Sequence, residues 1–150
     1  MTVNAGNQVV DASGNIVSLT AGVKVRPSGC RGNDCVVTYD GSSSLQMDQM
    51  VVTFSIIEGL LWSDGTPVTA DDSVYSYEVS SNNATPVSKF LIDRTQTYEA
   101  ADERTVQWWG MPGYIDPDYY TNFWMPLPKH AWEQYSAAEL LQAEASSKLP

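Results

Sequence analysis

The sequence predicts an α+β protein: a largely antiparallel sheet with a few helices packed on it. Three observations carry that expectation. Short β-branched runs, punctuated by Gly, Asn, Asp and Ser, occupy the first part of the chain. Met50, Val52, Phe54 and Ile56 then alternate with Val51, Thr53 and Ser55, the period-2 pattern of a half-buried strand. Helix signals begin only at Thr69, and a further pair of strand-like runs interrupts them.

Taken in order, Gln8-Val9-Val10 and Asn15-Ile16-Val17 flank Asp11-Ala12-Ser13-Gly14, which reads as a hairpin. Val23-Lys24-Val25 and Val36-Val37-Thr38-Tyr39 are two short runs on either side of a Cys-containing loop, and Asp40 to Ser44 is loop. After the alternating strand, Asp64-Gly65 marks a tight turn, because Gly reaches φ > 0 freely and Asp bonds its own backbone. Thr69 has the character of an N-cap, with Asp71 and Asp72 in the first turn, where free N–H groups favour negative charge.

The first helix is expected over Ala70–Val79, with Ala70, Val74 and Tyr77 on the buried face and Ser73, Ser76 and Ser80 on the wet one. The run from Ser80 to Pro86 stops it. A short helix is expected from Pro86 to Leu91, capped by Thr85. Gln96 to Ala100 and Thr105 to Trp109 form an antiparallel pair around Asp102-Glu103, followed by a loop at Gly110–Gly113. A helix from about Pro117 to Phe123 is expected next. Ser136 and Glu139 then make a capping box that opens a last helix, with Leu140 and Leu141 on its buried side.

At 150 residues the chain fits a single domain over 1–150, β-rich with the Cys loop over 1–50. Apolar residues make up 43% and charged ones 17%, which argues against disorder. No apolar run reaches the length of a membrane span, and no basic patch followed by an apolar stretch marks a leader. A net charge of −10 argues against nucleic-acid binding, which needs a basic face. The acidic groups are scattered and read as a solvated exterior, with a patch for cationic ligands as the alternative.

Cys30 and Cys35 bracket Arg31-Gly32-Asn33-Asp34. This spacing suits a local disulfide in an oxidising compartment, and two free thiols are the alternative. A zinc site would need two more ligands, and His130 is the sole histidine. Catalysis finds little support. No nucleophile elbow accompanies His130, which reads as a capping or surface imidazole. The Asp71/Asp72 and Asp116/Asp118 pairs are explained by helix starts before paired-carboxylate chemistry is invoked. The aromatic groups Trp108-Trp109, Tyr119-Tyr120 and Phe123-Trp124 suit packing, or stacking on sugars or peptides. Adjacent Trp108 and Trp109 in a strand point to opposite faces.

Several stretches together carry a family resemblance. Trp62-Ser63-Asp64-Gly65-Thr66-Pro67-Val68-Thr69-Ala70-Asp71-Asp72, followed by Val74-Tyr75-Ser76-Tyr77, resembles the signature region of the family 5 extracellular solute-binding proteins. These are the peptide, nickel and oligosaccharide receptors of ABC importers. Val51–Ile56 resembles the strand before the tryptophan, Tyr98–Val106 the family's hairpin, and Met125–Trp132 the Pro-Lys-His start of a helix. The similarity runs from about Val51 to about Leu141 and extends faintly to Val9–Val17. The Cys pair and the long link before the Val51 strand are departures from the family pattern.

The resemblance implies an extracytoplasmic, non-catalytic accessory domain, similar to the small inserted domain of bilobed receptors that are lipid-anchored in full-length form. It implies that the chain is an excised piece of a longer protein, with Trp62 closing the core under its turn. The implied partners are the other lobes, a membrane permease, and a peptide or related solute; no cofactor is assigned. By position, the solute-facing wall falls on Pro86-Val87-Ser88-Lys89-Phe90, and Val87, Lys89 and Phe90 are the candidate ligand-binding residues. Phe90 packing into a helix face with Leu91 is the alternative. A secreted carbohydrate- or surface-binding module using exposed aromatics is the alternative reading of the whole chain.

Overall fold

The computed structural model describes residues 1–145. Its strands are β1 (Thr2–Val3), β2 (Gln8–Val10), β3 (Ile16–Ser18), β4 (Lys24–Val25), β5 (Val37–Thr38), β6 (Leu45–Gln46), β7 (Val51–Ser55), β8 (Thr95–Asp102) and β9 (Thr105–Gly110). Its helices are α1 (Ala70–Ser81), α2 (Phe90–Asp93), α3 (Lys129–Trp132) and α4 (Ala137–Ala145). The fold is therefore α+β, with antiparallel sheets. None of the helices among the described residues is long and apolar enough to cross a membrane.

The chain divides into two compact units. The first comprises Met1–Val52, Asp93–Thr97 and Trp109–Tyr119; the second comprises Thr53–Ile92, Tyr98–Trp108 and the described chain from Tyr120 onward. In the first unit, short strands pair antiparallel as β1 with β6, β2 with β3, and β4 with β5. The β2–β3 hairpin pairs Gln8 with Ser18 and Val10 with Ile16. Its turn is held by Asp11, whose carboxylate accepts the Ser13 and Asn15 backbone N–H groups at 2.8 Å each. Strands β1, β2 and β4 contribute Val3, Val9 and Val25 to a core completed by Leu19, Tyr39 and Met47, with Val17 of β3 and Leu45 of β6 packed against it. Such short ladders are held mainly by this apolar cluster, at about 1.5–3 kcal/mol for each fully buried large side chain.

Strands β7, β9 and β8 form a three-stranded sheet in that spatial order. A two-residue connection makes β8 and β9 an antiparallel hairpin. In β7, Val52 and Phe54 are half-buried while Val51, Thr53 and Ser55 are exposed, as the alternation predicts. Trp108 is fully buried and Trp109 half-buried.

In the second unit, α1 begins at the predicted cap, Thr69, and runs two residues past the expected end. Its buried face differs from the expectation. Ser73 and Ser76 are buried with Tyr75, whereas Val74 and Tyr77 are only half-buried. The reason is a polar partner that periodicity does not reveal: the Ser73 hydroxyl lies 2.7 Å from the Tyr98 hydroxyl and donates to the Trp124 carbonyl. Two helix boundaries are also corrected. The expected helix from Pro86 starts instead at Phe90, because the Thr85 hydroxyl donates to the Val79 carbonyl at 2.6 Å and does not cap a new helix. The expected helix over Pro117–Phe123 reduces to a 3-10 turn at Tyr119–Thr121. The Ser136–Glu139 box opens α4 as predicted, with Leu140 buried and Leu141 half-buried.

Candidate functional site

The start of α1 is organised by the tight turn ahead of it. Trp62 N–H donates to the Thr66 carbonyl at 2.8 Å and Gly65 N–H to the Trp62 carbonyl at 3.0 Å, with Gly65 at φ +88°. The Asp64 carboxylate accepts from Thr66 N–H at 2.9 Å and lies 2.8 Å from His130 Nε2. The Thr66 N–H first, and His130 second, hold the Asp64 carboxyl down to about 2. His130 is thus a surface imidazole tied to the turn. Trp62 is half-buried and donates its indole N–H to Asp72, which ties the turn to the helix start. Asp71 is exposed, whereas Asp72 is buried and accepts from backbone N–H groups of Thr69 and Lys129.

The other end of α1 builds the segment to which the candidate residues belong. The final carbonyls of a helix lack internal partners, and here each of three has one. Asn82 N–H reaches the Glu78 and Val79 carbonyls at 3.2 and 3.3 Å. The Thr85 hydroxyl also takes Val79, and the Lys89 ammonium donates to the Ser80 carbonyl. Lys89 Nζ further donates to the Asn82 carbonyl at 2.7 Å and the Thr85 carbonyl at 3.2 Å.

Beside this segment lies a groove of about 350 Å³, with Val87, Leu91, Ile92, Phe123 and Trp124 as its apolar lining and hydroxyls of Ser80, Ser88 and Thr121 among them. The structure therefore brings Val87 to the groove. Phe90 stands at the start of α2 with 57% of its surface exposed, and Lys89 is turned to the end of α1. Phe123 and Trp124, which the sequence offers for packing or for stacking on sugars or peptides, come next to Val87 only through tertiary folding, together with Thr121.

Most of the aromatic side chains are occupied in packing. Tyr77, Tyr98 and Trp124 form a triangle with centroid separations of 4.8 to 5.2 Å, and Phe54 meets Phe123 at 5.4 Å. Tyr119 and Tyr120 are exposed.

In the first unit, Cys30 and Cys35 are joined by a disulfide. Its ring presents Arg31 to Asp48, which also accepts from the Ser28 hydroxyl at 2.5 Å and Gly29 N–H at 3.1 Å. The Ser28 hydroxyl and then Arg31 hold the Asp48 carboxyl far below the usual carboxylate range. Arg31 and Asp48 border a 270 Å³ depression with Val10, Arg26, Tyr114 and Ile115. No cluster of His, Cys, Asp and Glu suited to a metal ion exists among the described residues.

The family described as "Bacterial extracellular solute-binding proteins, family 5 Middle" matches residues 41–136, and the chain belongs to that family. It is 48% identical over 46 residues to the periplasmic oligopeptide-binding protein OppA of Escherichia coli, covering 29% of this chain and 8% of that protein. Among solved structures it resembles a periplasmic oligopeptide-binding ABC-transporter protein of Thermotoga maritima, with a TM-score of 0.51 and 29% identity over 62% of this chain and 18% of that one. A second structure of the same Thermotoga protein holds mannohexaose. The fold also matches the oligopeptide-binding protein AppA of Bacillus subtilis, in complex with a nonapeptide, with a TM-score of 0.52 and 18% identity over 94% of this chain and 25% of that one. The chain thus spans 8% of the length of the curated relatives it matches.

Proposed function

We propose that this chain is a non-catalytic accessory domain of an extracytoplasmic, lipid-anchored solute-binding receptor. The receptor would deliver peptides or related solutes to an ABC permease at the membrane. Partner lobes of the receptor would supply most solute contacts, and the Pro86–Phe90 segment would contribute one wall, with Val87 and Phe90 as its contact residues. The observation that carries this reading is the family match over residues 41–136 in a chain that spans a small share of its relatives. The full burial of Trp108 supports it over a surface-recognition module, since it removes that aromatic from an exposed ridge. The relatives' bound nonapeptide and mannohexaose make an oligomeric solute the class to test first.

Capture of a solute by lobe closure requires contacts that differ between open and closed states, and one wall alone cannot provide them. Isothermal titration of the chain by itself against peptides and oligosaccharides should therefore show no micromolar affinity. In a receptor containing it, Phe90→Ala should weaken solute binding by about tenfold, the usual scale for truncating an aromatic contact. Micromolar binding by the chain alone, or an unchanged affinity in the Phe90→Ala receptor, would sink the proposal.

A further inference from the structure

We infer that Lys89 serves the proposed solute wall as a positioning residue, holding Val87 and Phe90 in place through the end of α1 and making no contact with solute. The inference rests on the reading that Pro86–Phe90 forms that wall.

The argument begins with hydrogen-bond supply. An ammonium has three donors and no acceptor. Lys89 Nζ has three carbonyl acceptors, those of Ser80, Asn82 and Thr85. Its donor capacity is filled by main chain, so an incoming carboxylate would have to displace one of these carbonyls. The Ser80 carbonyl, in the last turn of α1, in turn gains a cationic donor. The C-terminal end of a helix carries partial negative charge, and α1 has no basic residue of its own in its last turn. Lys89 supplies that charge from outside the helix.

Chain geometry then links the contact to the wall. Lys89 reaches back nine residues to Ser80, so one side chain closes the loop that contains Asn82, Thr85, Pro86 and Val87. Within it, Thr85 N–H donates to the Asn82 carbonyl at 3.0 Å and Val87 N–H to the Thr85 carbonyl at 2.9 Å. Ser80, Val87 and Ser88 line the groove, and Lys89 does not. None of the groove's lining residues is charged. A wall of this kind discriminates by shape and apolarity and is indifferent to solute charge.

Lys89→Met tests the inference in two steps, with Lys89→Gln as a second variant should the first fold poorly. In the chain, amide hydrogen exchange at Asn82, Thr85 and Val87 should accelerate at least tenfold, while amides in the middle of α1 report that the second unit is intact. Unchanged exchange at those three amides overturns the latch. In a receptor containing the segment, affinity should fall by a similar factor for acidic, neutral and basic peptides of one length. A loss confined to acidic peptides would show direct contact and overturn the inference. Accelerated exchange with no loss for any peptide would leave the latch standing and overturn the placement of the wall.

Discussion

The Trp62 indole N–H donates to the Asp72 carboxylate at 3.2 Å, joining the tight turn to the first turn of α1 across ten residues. The same carboxylate accepts Thr69 N–H at 2.9 Å and Lys129 N–H at 3.0 Å. A side chain that the sequence presents as dipole compensation is therefore a buried junction of turn, helix start and the first residue of α3. Asp72→Ala leaves these donors without their acceptor in a site only 4% exposed. Each buried orphan costs about 1–3 kcal/mol, so a loss of about 2–4 kcal/mol is expected after partial rehydration. Urea unfolding measures it, and a loss below about 1 kcal/mol would show that water replaces the carboxylate freely.

A second junction is the hydroxyl pair of Ser73 and Tyr98, both buried and 2.7 Å apart. Tyr98 also accepts Trp124 N–H at 3.0 Å. Ser73→Ala and Tyr98→Phe should each cost about 1–3 kcal/mol, because each removes a partner from a buried polar group. Since the two share one bond, the double variant should cost less than the sum, with a coupling of about 1 kcal/mol. Strict additivity in denaturant titrations would mean that the two hydroxyls do not act together.

These two junctions show where the sequence could and could not be read. The Asp11 turn of the β2–β3 hairpin, the Thr69 cap and the Ser136–Glu139 box were legible because their partners lie within four residues. The buried face of α1 was not. Ser73 is buried for a tyrosine 25 residues away, and no periodicity within the helix encodes that. The helix expected at Pro86 failed for a related reason: Thr85, a good local cap, is drawn to the end of α1 instead. Likewise, Val87 was proposed by position in a family pattern, whereas Phe123 and Trp124, which line the same groove, come from a remote segment.

The acid limb of stability follows from two loop carboxylates. The Ser43 hydroxyl, followed by the backbone N–H groups of Ser43 and Ser42, holds Asp40 down from 3.8 to about 2. Asp64 is held down to about 2 by Thr66 N–H and His130. A folded-state value below the unfolded one means that these loops gain stability from the charged form. That contribution is complete above the ordinary 3.8 and disappears as pH falls toward about 2. Carboxyl NMR titration should place both midpoints near 2, with Ser43→Ala moving Asp40 upward. His130→Ala should move Asp64 only part of the way, because Thr66 N–H remains. A midpoint for Asp40 near 3.8 in the unsubstituted chain would refute this account.

Gly113 and Gly65 separate two reasons for needing glycine. Both have positive φ, +87° and +88° respectively. A Cβ at Gly65 would meet nothing within 4 Å, whereas one at Gly113 would lie 2.6 Å from the Val10 carbonyl oxygen and 2.8 Å from Met47 Cε. The left-handed backbone alone costs an L-residue about 1–2 kcal/mol, so Gly65→Ala should lose about that much. At Gly113 the methionine methyl can shift, but the Val10 carbonyl belongs to β2, whose N–H is bonded to Pro112 at 2.9 Å. Relieving the clash means moving a strand of the apolar core, at a further cost of about 1–3 kcal/mol. Gly113→Ala should therefore unfold at clearly lower urea than Gly65→Ala. Equal midpoints for the two variants would mean that backbone conformation alone sets the requirement, and that the strand yields to the added methyl without cost.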